Sequence, residues 1–159
     1  MLTIEIICVG KIKEKYLKDA INEYSKRLSK YCKLIITELP DEKIPDKLND
    51  NLKNIIKNKE CTNIINHIKK DSYVVALDLK GKSLSSEDFS KKIEAISMEN
   101  SHLTFIIGGS LGLSEELLLN CNFKICFSNM TFPHQLIRLF LLEQIFRAFK
   151  IKNGETYHR

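Results

Sequence analysis

Apolar residues fall into short blocks along the chain, and between the blocks they recur at helical spacing. Residues 2 to 9 read as a buried strand, after which Tyr16, Leu17, Ala20, Ile21, Tyr24, Leu28 and Tyr31 recur every 3.6 residues as in an amphipathic helix. A second strand, Leu34 to Leu39, stops at Pro40. The stretch from Asp41 to Asp46 holds Pro45 and reads as loop, because proline disfavours helix in the residue before it. A polar helix follows, with Leu48, Leu52, Ile55, Ile56, Ile64, Ile65 and Ile68 thin among Lys and Asn. So narrow a stripe predicts a helix lying across one face and frayed near Asn58 to Cys61.

Tyr73 to Leu79 is a Val/Leu strand, and Ser85 with Asp88 three residues on marks a helix start, running to about Met98. Leu103 to Ile107 is the next strand; Ser114 caps a short helix over Glu115 to Leu119, and Phe123 to Phe127 forms the fifth strand. The last helix, Gln135 to Phe149, is apolar on nearly every side and must be covered all round. Strands alternating with helices predict an α/β domain with a parallel-rich sheet, where ligands gather at the carboxyl ends of strands.

At 159 residues the chain has the size of a single domain spanning 1–159, and 43% hydrophobic with 28% charged residues is the composition of a folded globular protein. No apolar run approaches the roughly 18 residues a membrane span needs, and the start lacks a basic leader, so no membrane partner and a cytoplasmic location are expected. The five cysteines form no CxxC pair, which argues against a disulfide framework and a structural metal. The net charge of +5 sharpens over residues 1 to 33, with eight Lys/Arg against four acids. That imbalance leaves a nucleic-acid partner and a merely solvated basic face both open.

Two glycine-bearing loops follow strands. Gly81-Lys82-Ser83 imitates the end of a phosphate-binding loop, but the glycine needed five residues before the GK pair is Ala76, which argues against a nucleoside triphosphate. Ile107-Gly108-Gly109-Ser110-Leu111-Gly112 is better placed, since glycines at a strand end let a ligand approach the backbone; it fits a tight turn equally. Phe127-Ser128-Asn129-Met130-Thr131-Phe132-Pro133-His134 links the fifth strand to the apolar helix and offers hydrogen-bonding side chains. On that helix His134 and Arg138, and Glu143 and Arg147, are four apart and can share a face. The Glu143/Arg147 pair reads as an ion pair or a functional one. Tyr157-His158-Arg159 closes a polar tail whose residue types stack on bases and meet phosphate, though tails are usually disordered.

The glycine loop, the Ser128 to His134 segment, Leu142-Glu143-Gln144-Ile145-Phe146-Arg147-Ala148 and the terminal Tyr157-His158-Arg159, together with Val9-Gly10-Lys11-Ile12-Lys13, closely resemble the bacterial RlmH family of the SPOUT superfamily. The resemblance covers essentially the whole chain. It implies S-adenosylmethionine-dependent methyl transfer to N3 of a pseudouridine in the helix 69 loop of 23S rRNA, on the assembled ribosome, with no metal. It also implies a homodimer packed across the last helix and a C-terminal trefoil knot, which general folding rules would not suggest. Carried over, the cofactor residues are Leu77, Gly108, Phe127, Ser128, Asn129, Met130, Thr131 and Phe132. The catalytic candidates are His134, Glu143, Arg147, Tyr157 and His158, with His134, or His158 from the other subunit, suited to accept a proton. Rival readings are a non-catalytic ribosome-associated RNA-binding module and a flavodoxin-like nucleotide-binding protein.

Overall fold

The computed structural model of the chain describes residues 1–158. In order they form β1 (Thr3–Val9), α1 (Lys15–Leu28), β2 (Lys33–Leu39), α2 (Asp50–His67), β3 (Tyr73–Ser83), α3 (Ser86–Glu99), β4 (His102–Ile107), α4 (Glu115–Leu119), β5 (Phe123–Cys126) and α5 (His134–Lys152). The strands make one sheet ordered β2-β1-β4-β3-β5, and every neighbouring pair is parallel. A parallel sheet needs crossovers, which place helices on both faces and bury the strands from both sides. All six residues of β4 are accordingly buried.

Alternation along β1 sorts the core. Ile4, Ile6 and Cys8 pack with Leu17, Ile21, Phe89, Ile93, Leu141, Leu142 and Ile145 from α1, α3 and α5. Ile7 and Val9 face the other way, onto Cys61, Ile64 and Leu117 from α2 and α4. Burial pushes the Cys8 thiol up to about 11 and that of Cys32 to about 12, so both act as small apolar fillers. Among the described residues no helix is long and apolar enough to cross a membrane.

Three expectations need correction. α2 runs unbroken through Asn58 to Cys61: Asn49 caps it, Glu60 and Cys61 are buried at its middle, and Cys61 Sγ accepts the Ser114 amide at 3.2 Å. Tertiary contacts there outweigh a weak local pattern. β3 continues to Ser83, so Gly81 and Lys82 lie in the strand and not in a loop that follows it. The register against β5 slips between Leu77 and Lys82, and a Cβ on Gly81 would stand 2.7 Å from the Ile125 backbone. That glycine exists because two backbones approach, not to cradle phosphate.

The third correction concerns α5, which is mostly covered within its own chain by α1, α3 and the sheet. Leu141 is 0% exposed, whereas Phe140 is 40% exposed and Leu136, Ile137 and Leu139 are half-buried. One stripe is left open near the start of the helix, not a full girdle.

Gly81→Ala should lower stability by about 1–3 kcal/mol, the usual cost of overpacking. Lys82→Ala should stay within about 0.5 kcal/mol of the parent, as exposed positions do. Urea unfolding of both variants checks the pair.

Candidate functional site

The carboxyl ends of the strands carry the loops that face one another. A cavity of about 240 Å³ opens there, walled by Leu77 of β3, Ile107 of β4, Leu113, Ile125 of β5, Phe127 and Ile137 of α5. Its polar rim comes from Asp78, Ser110, Ser128, Thr131 and His134. Among the described residues, 127–132 make no backbone–backbone hydrogen bond outside the regular strands and helices. The Met130 N–H turns to the Ser128 hydroxyl at 3.0 Å and the Ser128 carbonyl accepts the Cys126 thiol at 3.1 Å, which leaves most of the remaining peptide groups of this stretch to a ligand. Apolar walls beside uncommitted peptide groups fit an amphipathic small molecule with polar ends.

Seven of the cofactor residues expected from sequence line this cavity: Leu77, Gly108, Phe127, Ser128, Met130, Thr131 and Phe132. Asn129 does not line it and is exposed. The glycines serve their own loop first. A Cβ on Gly108 would lie 2.8 Å from Leu113 Cδ2 and 3.1 Å from the Gly112 carbonyl oxygen; one on Gly109 would lie 3.2 Å from Glu60 Oε1. Gly112 has φ +81°, and its N–H donates to the Gly109 carbonyl at 3.1 Å. The loop is thus a tight turn as well as a cavity wall, and the two readings of it are compatible.

His134 is the first residue of α5, and its ring packs over Gly10, where a Cβ would stand 3.2 Å from Cε1. Its Nδ1 is buried with no hydrogen-bond partner. Burial, with the Arg138 guanidinium one turn on, holds its pKa below the ordinary imidazole value, against an opposing pull from Asp41. The ring is therefore held neutral.

The other four catalytic candidates assemble elsewhere. Glu143 Oε1 accepts from Arg147 Nε at 3.0 Å and from the Tyr157 hydroxyl at 3.2 Å, and Gln144 Nε2 donates to Glu143 Oε2 at 2.9 Å. His158 lies 3.1 Å by Nδ1 from Arg147 Nη1 and 2.6 Å by Nε2 from Glu87 Oε1. The Tyr157 ring stands edge-on to Phe146 at 5.0 Å and lies under the Arg147 guanidinium at 4.8 Å. Burial, with Glu143 and Tyr24 alongside, pushes its phenol up to about 12, so it stays a donor.

The tail is therefore packed in its own chain as far as His158, against the expectation of disorder; Arg159 lies outside the described residues. None of these four side chains lines the cofactor-type cavity. Glu143 borders a neighbouring one of about 550 Å³ that shares Ile125, Phe127, Ser128 and Phe132 with the first. Among the described residues no cluster of His, Cys, Asp or Glu could hold a metal ion.

Sequence reasoning missed Asp78, which looked like an ordinary strand residue, and the reach of Arg138 to Glu38 across 100 positions of chain. Neither left a local signal.

The family model described as Predicted SPOUT methyltransferase matches residues 2–158. A protein of Clostridium botulinum (strain Alaska E43 / Type E3) named Ribosomal RNA large subunit methyltransferase H is 60% identical over 99% of this chain and the whole of its own length. One of the same name from Clostridium acetobutylicum is 57% identical with the same coverage. A solved structure of a probable methylase family protein from Haemophilus influenzae Rd KW20 aligns with a TM-score of 0.55 at 12% identity, over 98% of this chain and 70% of that one, and shares the fold.

The depressed His134 pKa has a stability consequence of definite sign. As pH falls below the ordinary value of 6.5, the unfolded chain takes up this proton before the folded one, so stability is lost with falling pH. Glu38, held below its ordinary 4.5 mainly by the Ile12 amide and Arg138 against the opposing effect of burial, adds loss in the same direction at lower pH. Urea midpoints between pH 7 and pH 5 should fall for the parent and fall less for His134→Asn; equal slopes would assign the dependence to other groups.

Proposed function

Because the chain belongs to the SPOUT methyltransferase family, we propose that it methylates N3 of a pseudouridine in the helix 69 loop of 23S rRNA on the assembled ribosome. S-adenosylmethionine is the donor, and the cytoplasm is the place. The observation that carries this reading is the apolar cavity with mostly uncommitted peptide groups along 127–132 and the His134 ring at its rim, its buried Nδ1 without a partner among the described residues. The names of relatives 57% and 60% identical over their full length support the rRNA substrate.

The donor's sulfonium supplies an already activated methyl group, so the work left to this chain is alignment, desolvation and removal of one proton. Leu77, Ile107, Leu113 and Phe127, which wall the cavity, would hold the apolar part of the donor. Peptide groups of Gly108 and of Phe127, Ser128, Met130, Thr131 and Phe132 would bind its polar groups, with Asn129 shaping the same loop. The acceptor nitrogen bears a hydrogen that must leave, and neutral His134 takes it. Glu143 is already engaged by Arg147, Gln144 and Tyr157 and serves to orient that side of the site.

A homodimer completes the enzyme, with the tail of one subunit presenting Tyr157 and His158 to the acceptor region of the other. Phe140 and its half-buried neighbours on α5, with Met130 73% exposed beside the cavity, support an interface there. The path of the chain supports a trefoil knot. It leaves edge strand β5, passes the ends of β3 and β4, and reaches Gly10 and Glu38 before α5 descends between α1 and α3.

The rival is a non-catalytic ribosome-associated RNA-binding module, which the exposed Lys11, Lys13, Lys15 and Lys18 would also suit. Ribosomes incubated with the protein and tritiated cofactor should gain label on N3 of the pseudouridine; binding without label would favour the rival. Tyr157→Ala should slow this transfer by roughly one to two orders of magnitude, as loss of one base stack of about 1–3 kcal/mol does. Truncation after Asn153 should do at least as much with cofactor affinity by calorimetry unchanged.

Phe140→Asp should convert dimers to monomers on a sizing column with the fold retained by circular dichroism. Leu141→Asp strikes the chain's own core and should unfold it instead.

A further inference from the structure

Arg138 is 1% exposed, one of the largest fully buried side chains among the described residues, and sits among the apolar Leu136, Ile137, Leu139, Phe140, Leu141 and Leu142 of α5. Its Nη1 donates to Glu38 Oε2 at 2.6 Å and its Nη2 to the Gly10 carbonyl at 3.1 Å. The same Glu38 oxygen accepts the Ile12 N–H at 3.0 Å. One guanidinium thus ties the first turn of α5 to the ends of both β1 and β2, a reach that needs a planar fork and not a point charge. Burying a guanidinium against a carboxylate that itself stays 34% exposed is a poor source of stability compared with an apolar residue of the same volume, and Arg138 Nε is buried without a partner among the described residues. Stability alone does not account for it. What the pair holds in place is Gly10, whose φ of +93° and bare Cα form the seat of the His134 ring.

We propose that Glu38, Arg138 and Gly10 form a positioning unit for His134, fixing where the ring sits and setting the electrostatic field in which it titrates. The proposal rests on His134 being the proton acceptor of the transfer. Glu38 balances the guanidinium charge; without that balance the ring would resist protonation more, and without the guanidinium it would resist less. The other groups facing this region are Asp41 from the loop after β2, Asp78 from β3 across the cavity, Lys11 near Glu38, and the Cys8 thiol beneath Arg138. None of these is altered by the variants below.

The test follows the imidazole signals of labelled protein through a pH titration, with His134→Gln assigning one of the four histidines. Glu38→Gln should move the His134 midpoint down, and Arg138→Met should move it up. Arg138→Lys keeps the charge but loses the fork. It should leave the midpoint near that of the parent while kcat for ribosome methylation falls on the order of 10²-fold, the cost of a misplaced reacting group, with cofactor affinity unchanged. The acid limb of kcat should follow the midpoint in each active variant. A merely structural pair would weaken the fold in every variant without shifts of opposite sign, so shifts of one sign, no shifts, or full turnover in Arg138→Lys would overturn the proposal. Should Arg138→Met fail to fold, Glu38→Gln and Arg138→Lys carry the test. A parent protein that methylates no ribosomes would refute the proposed reaction, while the titrations would still decide whether the unit controls the ring.

Discussion

A guanidinium buried among apolar side chains must meet a carboxylate or other acceptors, and Arg138 meets Glu38 at the far side of the sheet from the strand that precedes it. That requirement decides the route of the chain's last third. β5 is one edge of the sheet and β2 the other, so the segment 127–133 has to stretch across the carboxyl ends of the strands between them. A stretched segment makes no backbone ladder of its own, which is why most of its peptide groups remain available. The cavity beneath it is a consequence of where α5 is anchored.

The same anchoring separates two kinds of recognition. The cavity offers backbone groups and apolar walls, which suits a ligand of constant chemistry that needs no side-chain reading. Glu143, Arg147, Tyr157 and His158 form a charged and aromatic cluster one wall away, already hydrogen-bonded together, with Glu87 closing it from α3. Such a cluster is preorganised for a second, larger and more polar partner. His134 stands between the two, at the cavity rim with its Nδ1 unpartnered.

Glycine plays different parts at different places in this arrangement. At Gly81 it lets β3 meet β5 backbone to backbone, and at Gly108 it lets the loop after β4 close on Leu113 and Gly112. At Gly10 it provides the seat of an imidazole. A motif that looks like a phosphate cradle and one that looks like a ligand loop are thereby both explained by close approach within the chain, and the second also borders the cavity.

Hydrophobic period, read along the sequence, determined the five strands, the alternation with helices and the parallel class, because a strand covered on both faces has to be apolar at nearly every position. The resemblance, and not the period, named the cofactor-type residues, and seven of them line one cavity because loops after parallel strands share one end of the sheet. Periodicity misjudged α2, whose middle is held by Glu60 and Cys61 through contacts distant in sequence, and β3, whose last residues pair with β5 after a register slip. It was silent on Arg138, because His134 four residues before it looked like its natural neighbour, while its true partner lies 100 positions away. Local pattern reports how each segment must be covered. Which charge meets which, and therefore which imidazole is left free beside the cavity, is settled only when strands from opposite ends of the chain are brought side by side.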